Sequence, residues 1–173
     1  MAALRARAKS DAAFRVRRAD PSDLGAIDRI EQRSFAADRF PRRNLKRLLE
    51  SAAALTLVAE KGGRAGGFAI LLFRKGARVA RLYSIAVDPD SRGAGVAVQL
   101  LAAAAKAARA AGADRLRLEL RPSNTAAMRL YHRAGFTNFE RKPGYYADGE
   151  DAVRMELALS AGQRATGAPR HER

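Results

Sequence analysis

The stretch from Val79 to Leu120 constrains the fold more than any other part of the chain. Residues 79–87 (VARLYSIAV) form an apolar run closed by Asp88-Pro89. Arg92, Gly93, Ala94 and Gly95 then make a small-residue loop. From Gly95 to Ala110 the period changes to that of a helix, with Val98, Leu101, Ala105 and Ala108 expected near one face. Gly112 stops it, as a glycine just past a helix end does. Residues 115–120 return to strict alternation: Leu116, Leu118 and Leu120 face one way, and Arg117, Glu119 and then Arg121 the other. A strand, a long helix and a second strand in this order predict a right-handed parallel crossover.

The rest of the chain predicts shorter elements on either side of that unit. Phe14 and Val16 open a short strand. Asp20 or Ser22 caps a helix that carries Leu24, Ile27, Ile30 and Phe35 on one stripe. Pro41 reads as the start of a second helix with Leu45, Leu48 and Leu49. Leu55 to Glu60 is a strand, turned back by Gly62-Gly63 into a strand over Gly66 to Phe73. After residue 120, Ser123 or Asn124 caps a helix through Met128, Leu130 and Tyr131, ended by Gly135. Strands are expected at Thr137 to Arg141 and Val153 to Leu159. The sum is a mixed α/β sheet of about seven strands, mostly antiparallel, with helices on both faces. One domain over residues 13–159 is expected, between a flexible basic arm (1–12) and a small, polar tail (160–173) expected to be disordered.

Composition removes whole classes of chemistry. There is no Cys, which excludes disulfides, thiolate zinc sites and a cysteine nucleophile. His132 and His171 are the only histidines, so no metal site is expected. Lys and Arg number 33 against 18 Asp and Glu, a formal charge of +15 that favours RNA, ribosomes, acidic surfaces or an anionic cofactor. The basic residues are scattered, however. Their one cluster, Arg42, Arg43, Lys46 and Arg47 on the second helix, is either a contact for rRNA or an acidic peptide, or a solvated helix face. The basic start is not followed by an apolar signal core, and no apolar run is long enough to span a membrane. A cytoplasmic location is expected, with no membrane partner.

The loop before the long helix carries the first functional hint. Small residues let backbone N–H groups approach a ligand, and a helix start adds unpaired donors and the positive end of its dipole. With Arg92, these make a cradle for a pyrophosphate. A tight strand-to-helix turn is the other reading. The loop is not a Walker motif, because no Gly-Lys-Ser/Thr follows, and it lacks the third glycine of a dinucleotide fingerprint, Val98 standing in its place.

RGAGVA resembles the Arg/Gln-x-x-Gly-x-Gly/Ala motif of the GNAT superfamily of acetyl-CoA-dependent acyltransferases. LRLELRPSNTAAMRLYHRAGF and YYADGEDAVRMEL resemble the RimI-like branch, the ribosomal-protein-alanine N-acetyltransferases. The resemblance covers about residues 79–159; the front half agrees in layout and at Glu31, Phe35 and Pro41. It implies the GNAT fold, acetyl-CoA as co-substrate, and a protein N-terminal amine as acceptor, such as that of a ribosomal protein. It implies backbone contacts from Ile85, Ala86 and Val87 to the pantetheine arm. Arg92, Gly93, Ala94, Gly95, Val96 and Ala97 would then hold the pyrophosphate, and Asn124 would contact the cofactor arm. Glu119 takes the place of the family base and Tyr131 that of the family acid. Tyr145 and Tyr146 fall where the acceptor peptide lies. Where RimI-like enzymes carry an aromatic next to the proline after the first helix, Arg42 stands here.

The same residues have plainer readings. Glu119 could form an ion pair with Arg117 or Arg121. Tyr131 could pack on Leu130 and Phe136, and Tyr145 and Tyr146 could plug the space between strands. Glu150 and Asp151 either attract a cationic amine or cap a turn. Asp20, Asp28 and Glu31 read as solvated helix residues or caps, Asp88 and Asp90 as turn formers, and His132 as a surface residue. Competing functions are a small-amine or lysine acetyltransferase of the same superfamily, a basic module binding RNA or ribosomes, and a GNAT fold without catalysis. The first of these, as a polyamine enzyme, needs several convergent carboxylates; the second needs a continuous basic stripe.

Overall fold

The computed structural model describes residues 13–159. The expected arm and tail lie outside these residues. Seven strands form one sheet in the order β1-β2-β3-β4-β5-β7-β6. They are β1 (Arg15–Arg18), β2 (Ala54–Lys61), β3 (Arg64–Leu72), β4 (Val79–Val87), β5 (Arg115–Leu120), β6 (Thr137–Lys142) and β7 (Ala152–Ala158). The β4–β5 pair is parallel and all others are antiparallel, as the crossover and the short turns require. The helices are α1 (Leu24–Ser34), α2 (Arg42–Glu50), α3 (Val96–Ala110) and α4 (Thr125–Arg133).

Two cores lie on opposite faces of the sheet. Ile27, Ile30 and Leu45 from α1 and α2 meet Val58, Phe68 and Ile70 on one face. On the other, Val96, Leu100, Ala104 and Ala108 of α3 meet Ala69, Leu71, Leu82 and Leu116. β3 serves both cores, which is why its residues 65–71 are all buried and its sequence does not alternate in polarity.

The buried stripe of α3 differs from the expected one. Val96, Leu100, Leu101, Ala104 and Ala108 face the sheet, and Val98 is 60% exposed. The i, i+4 series starting at Val96 is what packs, and Val98 lies on the far side of the helix from it. Two smaller corrections concern helix ends. Phe35 follows α1 in extended backbone rather than continuing its stripe. Pro41 is the N-cap of α2 and not its first helical residue.

β4 and β5 pair only at Val79↔Arg115, Ala80↔Leu116 and Arg81↔Arg117. Beyond that point they part. On its other edge β4 is bulged: Leu82 faces Leu71 and Ser84 faces Ile70, so Tyr83 has no partner on β3. A bulge bends a strand and increases its twist. It sits where the two parallel strands separate.

Candidate active site

The separation of β4 and β5 opens a cleft of about 350 Å³ through the sheet. Its sides are residues 82–87 of β4 and 118–121 at the end of β5. Ala97, Asn124, Leu130 and Tyr131 line it from the α3–α4 face. Phe35, Asp38, Phe40, Tyr83 and Tyr146 line it from the α1–α2 side. The β5-facing edge of β4 from Leu82 onward has no strand partner, and apart from the Val87 carbonyl, which accepts from Ser34 Oγ at 3.2 Å, its outward backbone groups can bond a chain laid in the cleft.

Next to the end of β4, Asp88 caps a short turn by accepting from Asp90 N at 2.9 Å. Arg33 holds both Asp88 and Asp90. Gly93 and Gly95 have φ of 78° and 74°, a left-handed backbone that side-chain-bearing residues rarely adopt. Gly95 is the N-cap of α3, and no side chain caps the helix there. The first N–H groups of α3 therefore point outward unpaired, as an anion-binding helix start needs. Arg92 to Gly95 are exposed beside the cleft rather than within it. Val96 turns its side chain into the core, so only its backbone can serve a ligand. This donor set, with the free strand edge, fits an extended ligand carrying a pyrophosphate.

Asn124 caps α4, its Oδ1 accepting from Ala127 N at 3.1 Å, and lines the cleft. Tyr131, one side of whose ring meets Phe136 edge-on at 5.6 Å, is buried and lines the cleft as well. Tyr131 therefore packs as its plainer reading expects and also borders the cleft. Burial, with Tyr146 adding a smaller effect, pushes the Tyr131 phenol well above its ordinary value, so it keeps its proton at neutral pH. Tyr146 is pushed up to about 12, again chiefly by burial.

Glu119 does not pair with Arg117 or Arg121. Arg117 binds Glu156, and Arg121 binds Asp38, Asp148 and Glu150. The partners of Glu119 come from neighbouring strands. Arg81 Nε of β4 donates to its Oε2 at 2.9 Å, and Arg154 Nε of β7 lies 3.3 Å from its Oε1. Strand neighbours two apart along one strand are farther apart than cross-strand partners, and Glu119 faces Arg154 directly in register. Because Leu118 and Leu120 face α3 and α4, Glu119 lies on the opposite face and approaches the cleft from the α1–α2 side, across from Tyr131.

Tyr145 is outside the cleft. Its hydroxyl accepts from Arg81 Nη2 at 3.0 Å, and its ring meets Tyr146 edge-on at 5.1 Å. Glu150 and Asp151 are taken up locally: Glu150 by Arg121 and Ser123 N, and Asp151 by Arg141 and Gly144 N. His132 is exposed, with Nδ1 3.2 Å from the Phe136 carbonyl oxygen. Sequence reasoning missed Asp38, Phe40, Tyr83 and Arg121 as cleft residues, and placed Glu31 at the surface, whereas it is fully buried. The Phe-Pro pair before α2 was the available signal for Phe40; Tyr83 had none.

Comparison with known proteins gives the family and the fold. Residues 24–136 match the family model described as the acetyltransferase (GNAT) family. An N-alpha-acetyltransferase from Sulfurisphaera tokodaii is 31% identical over 169 residues, covering 89% of this chain and 98% of that protein. The crystal structure of the ribosomal-protein-S18-alanine N-acetyltransferase from Escherichia coli superposes with a TM-score of 0.77 at 30% identity, over 90% of this chain and 99% of that one. A putative acetyltransferase from Salmonella typhimurium, solved with its cofactor acetyl-CoA, shares the fold with a TM-score of 0.74 at 24% identity, over 92% and 99% of the two chains. The chain belongs to the acetyltransferase (GNAT) family. Its reaction class is acetyl transfer from acetyl-CoA to an amine.

Proposed function

We propose that the chain acetylates the N-terminal α-amine of a protein by direct attack within one ternary complex. The observation that carries this reading is the cleft through the sheet, which brings Glu119 and Tyr131 to it from opposite faces. A donor laid along β4 from the α3 start reaches the cleft from one side; an acceptor enters between Phe40 and Tyr146 from the other. The names of the relatives from Sulfurisphaera tokodaii and Escherichia coli support an N-terminal acceptor, and the second a ribosomal protein. A polyamine acceptor would need convergent free carboxylates, and Asp38, Asp148 and Glu150 converge on Arg121 instead.

Acetyl-CoA supplies an activated acetyl group as a thioester. Ile85, Ala86, Val87 and Asn124 hold its pantetheine arm, and Arg92 through Ala97 its pyrophosphate. The acceptor amine must be neutral to attack. With a pKa of about 8, roughly a tenth of an α-amine is neutral at pH 7, against about one lysine in 2,500 at a pKa near 10.4. Glu119 has guanidinium groups on both oxygens, so it takes the amine proton through a water that it orients. Tyr131, protonated at neutral pH, gives a proton to the departing thiolate. Tyr146 and, behind it, Tyr145 shape the acceptor entrance.

The test is turnover against pH with an Ala-initiated peptide. Glu119→Gln and Tyr131→Phe should each lose about 10²- to 10⁴-fold, with acetyl-CoA affinity nearly unchanged. The Glu119→Gln defect should shrink at high pH, where more amine is neutral. The Tyr131→Phe defect should not, and a thioester with a better leaving group should relieve it. Wild-type turnover by both variants across the pH range would sink these roles. Peptides with blocked N-termini and internal lysines provide the control for acceptor class: turnover confined to them would sink the α-amine reading alone.

A further inference from the structure

Glu31 is the least expected charge-bearing residue in the fold. It is 0% exposed, on the inward face of α1 between Ile27 and Ile30 and the sheet. Its Oε1 accepts the backbone N–H of Phe40 at 2.8 Å, and its Oε2 has no partner. A buried carboxyl with an orphan oxygen is destabilising by itself, and methionine would fill the same space without that cost.

What Glu31 holds is the connection between α1 and α2, residues 35–41, which contains no helix or strand. Backbone bonds fix only its ends, through Phe35 N to Glu31 O and through the Pro41 carbonyl to Asn44 N and Leu45 N. Between them the loop is fixed at two points. Asp38 is clasped by Arg121 across the cleft, and Phe40 N is held from beneath by Glu31. Pro41 follows and has no N–H to offer. The ring of Phe40 then lies parallel to that of Tyr83, with centroids 4.9 Å apart, and both rings line the cleft.

We infer that Glu31 is a positioning residue for the acceptor, its buried carboxyl fixing the Phe40 backbone and so the Phe40–Tyr83 stack that walls the acceptor side of the cleft. This rests on the proposed reading of that side as the amine entrance. Burial raises the Glu31 carboxyl above its usual range, the Phe40 N–H opposing and Asp28 adding to the effect. The acceptor wall is thus set through Glu31 and Phe40, whereas α1 reaches the donor side through other residues, Ser34 at the Val87 carbonyl and Arg33 at Asp88 and Asp90.

The experiment compares Glu31→Gln, Glu31→Met and Phe40→Ala by initial rates, varying acetyl-CoA and an Ala-initiated peptide separately. Glu31→Met should raise the acceptor KM about tenfold or more while the acetyl-CoA KM stays within about twofold. Glu31→Gln, whose amide oxygen can still accept from Phe40 N, should restore the wild-type acceptor KM. Phe40→Ala should match Glu31→Met, and the double variant should be no worse than either. Amide hydrogen exchange at Phe40 provides a readout independent of any acceptor: protected in wild type and Glu31→Gln, fast in Glu31→Met. A folded Glu31→Met with a wild-type acceptor KM, or with both KM values raised alike, would overturn the inference. So would fast Phe40 exchange in the wild type, which decides the matter even if Glu31→Met does not fold. A wild-type enzyme that acetylates no peptide but shows a protected Phe40 amide would instead count against the proposed acceptor while leaving the clamp standing.

Discussion

Gly67 in β3 lies beneath the first turn of α3, and adding one methyl group there should damage stability and donor binding together. A Cβ at this position would stand 2.8 Å from Val96 Cγ1, 2.9 Å from the Ala86 carbonyl oxygen and 3.1 Å from Leu100 Cδ1. Carbon contacts are comfortable at about 3.5–4.0 Å. The Ala86 oxygen belongs to the main chain of β4, so β3 and β4 must part slightly there, and α3 must retreat by roughly 1 Å at Val96 to restore carbon contact. Overpacking of this kind costs about 1–3 kcal/mol. At about 2–4 °C per kcal/mol for a domain of this size, the melting temperature should fall by roughly 2–12 °C. Val96 is also the first residue of α3, so the same displacement moves the uncapped N–H groups. Donors displaced by about 1 Å leave hydrogen-bonding range, and such shifts can cost about 100-fold in function.

Gly67→Ala is therefore expected to weaken acetyl-CoA binding at least about tenfold, which corresponds to about 1.4 kcal/mol. Thermal melts give the stability change and calorimetry with acetyl-CoA the affinity. Ile27→Val is the control: it trims a fully buried side chain of α1, costs about 0.5–1.5 kcal/mol, and touches nothing near α3. It should lower the melting temperature and leave acetyl-CoA affinity alone. A Gly67→Ala protein that melts lower yet binds acetyl-CoA like the wild type would refute the coupling between α3 packing and the donor cradle.

Two further outcomes are expected. Asp23 accepts from both Arg17 Nη atoms and from Asp20 N, each at 2.8 Å, and the Arg17 bonds hold its carboxyl below the usual range. A depressed folded-state value contributes stability above about pH 4 and loses it as pH falls through the folded value. Asp23→Asn should thus cost about 3 kcal/mol at pH 7 in urea unfolding, and the gap should close in acid; a gap that does not change with pH would contradict the pairing. Arg121 ties Asp38 to Asp148 and Glu150 across the cleft mouth. Arg121→Ala should raise the acceptor KM, by freeing the loop that carries Asp38, without changing the acetyl-CoA KM; equal effects on both substrates would exclude a role confined to the mouth.

How much of this the sequence carried depended on whether the cause was local. β4 and β5 fell at the expected residues because alternation and Asp-Pro or Gly punctuation are local signals. Asn124 as a cap was legible for the same reason. The phase of the α3 stripe was not, since alanine carries little hydrophobic contrast and Val98 misled the choice of face. The partners of Glu119 were not legible either. They sit on β4 and β7, and the nearest cations in sequence, Arg117 and Arg121, are claimed by Glu156 and by the acids of the cleft mouth. Glu31 was misplaced because an acid on a helix normally faces water, and only the tertiary fold shows the Phe40 N–H that it serves.

The bulge at Tyr83 links these pieces. Before it, Ala80 and Leu82 face α3; in a regular strand Ile85 and Val87 would then face α1. One extra residue reverses the phase. Ile85 and Val87 pack toward α3, while Tyr83 and Ala86 turn toward α1 and α2. The bulge bears on both sides of the cleft. It bends β4 away from β5, which ends their pairing after Arg81 and frees the strand edge for a donor. Tyr83 itself keeps the face it has in a regular strand, toward α1 and α2, where Phe40 stacks on it and Arg81 lies over it at 5.2 Å while binding Glu119. Donor edge and acceptor wall therefore meet at the bulge, on either side of Tyr83. The alternation of residues 79–87 hides it completely, because apolar residues lie on both sides of the reversal and either phase reads as a good strand.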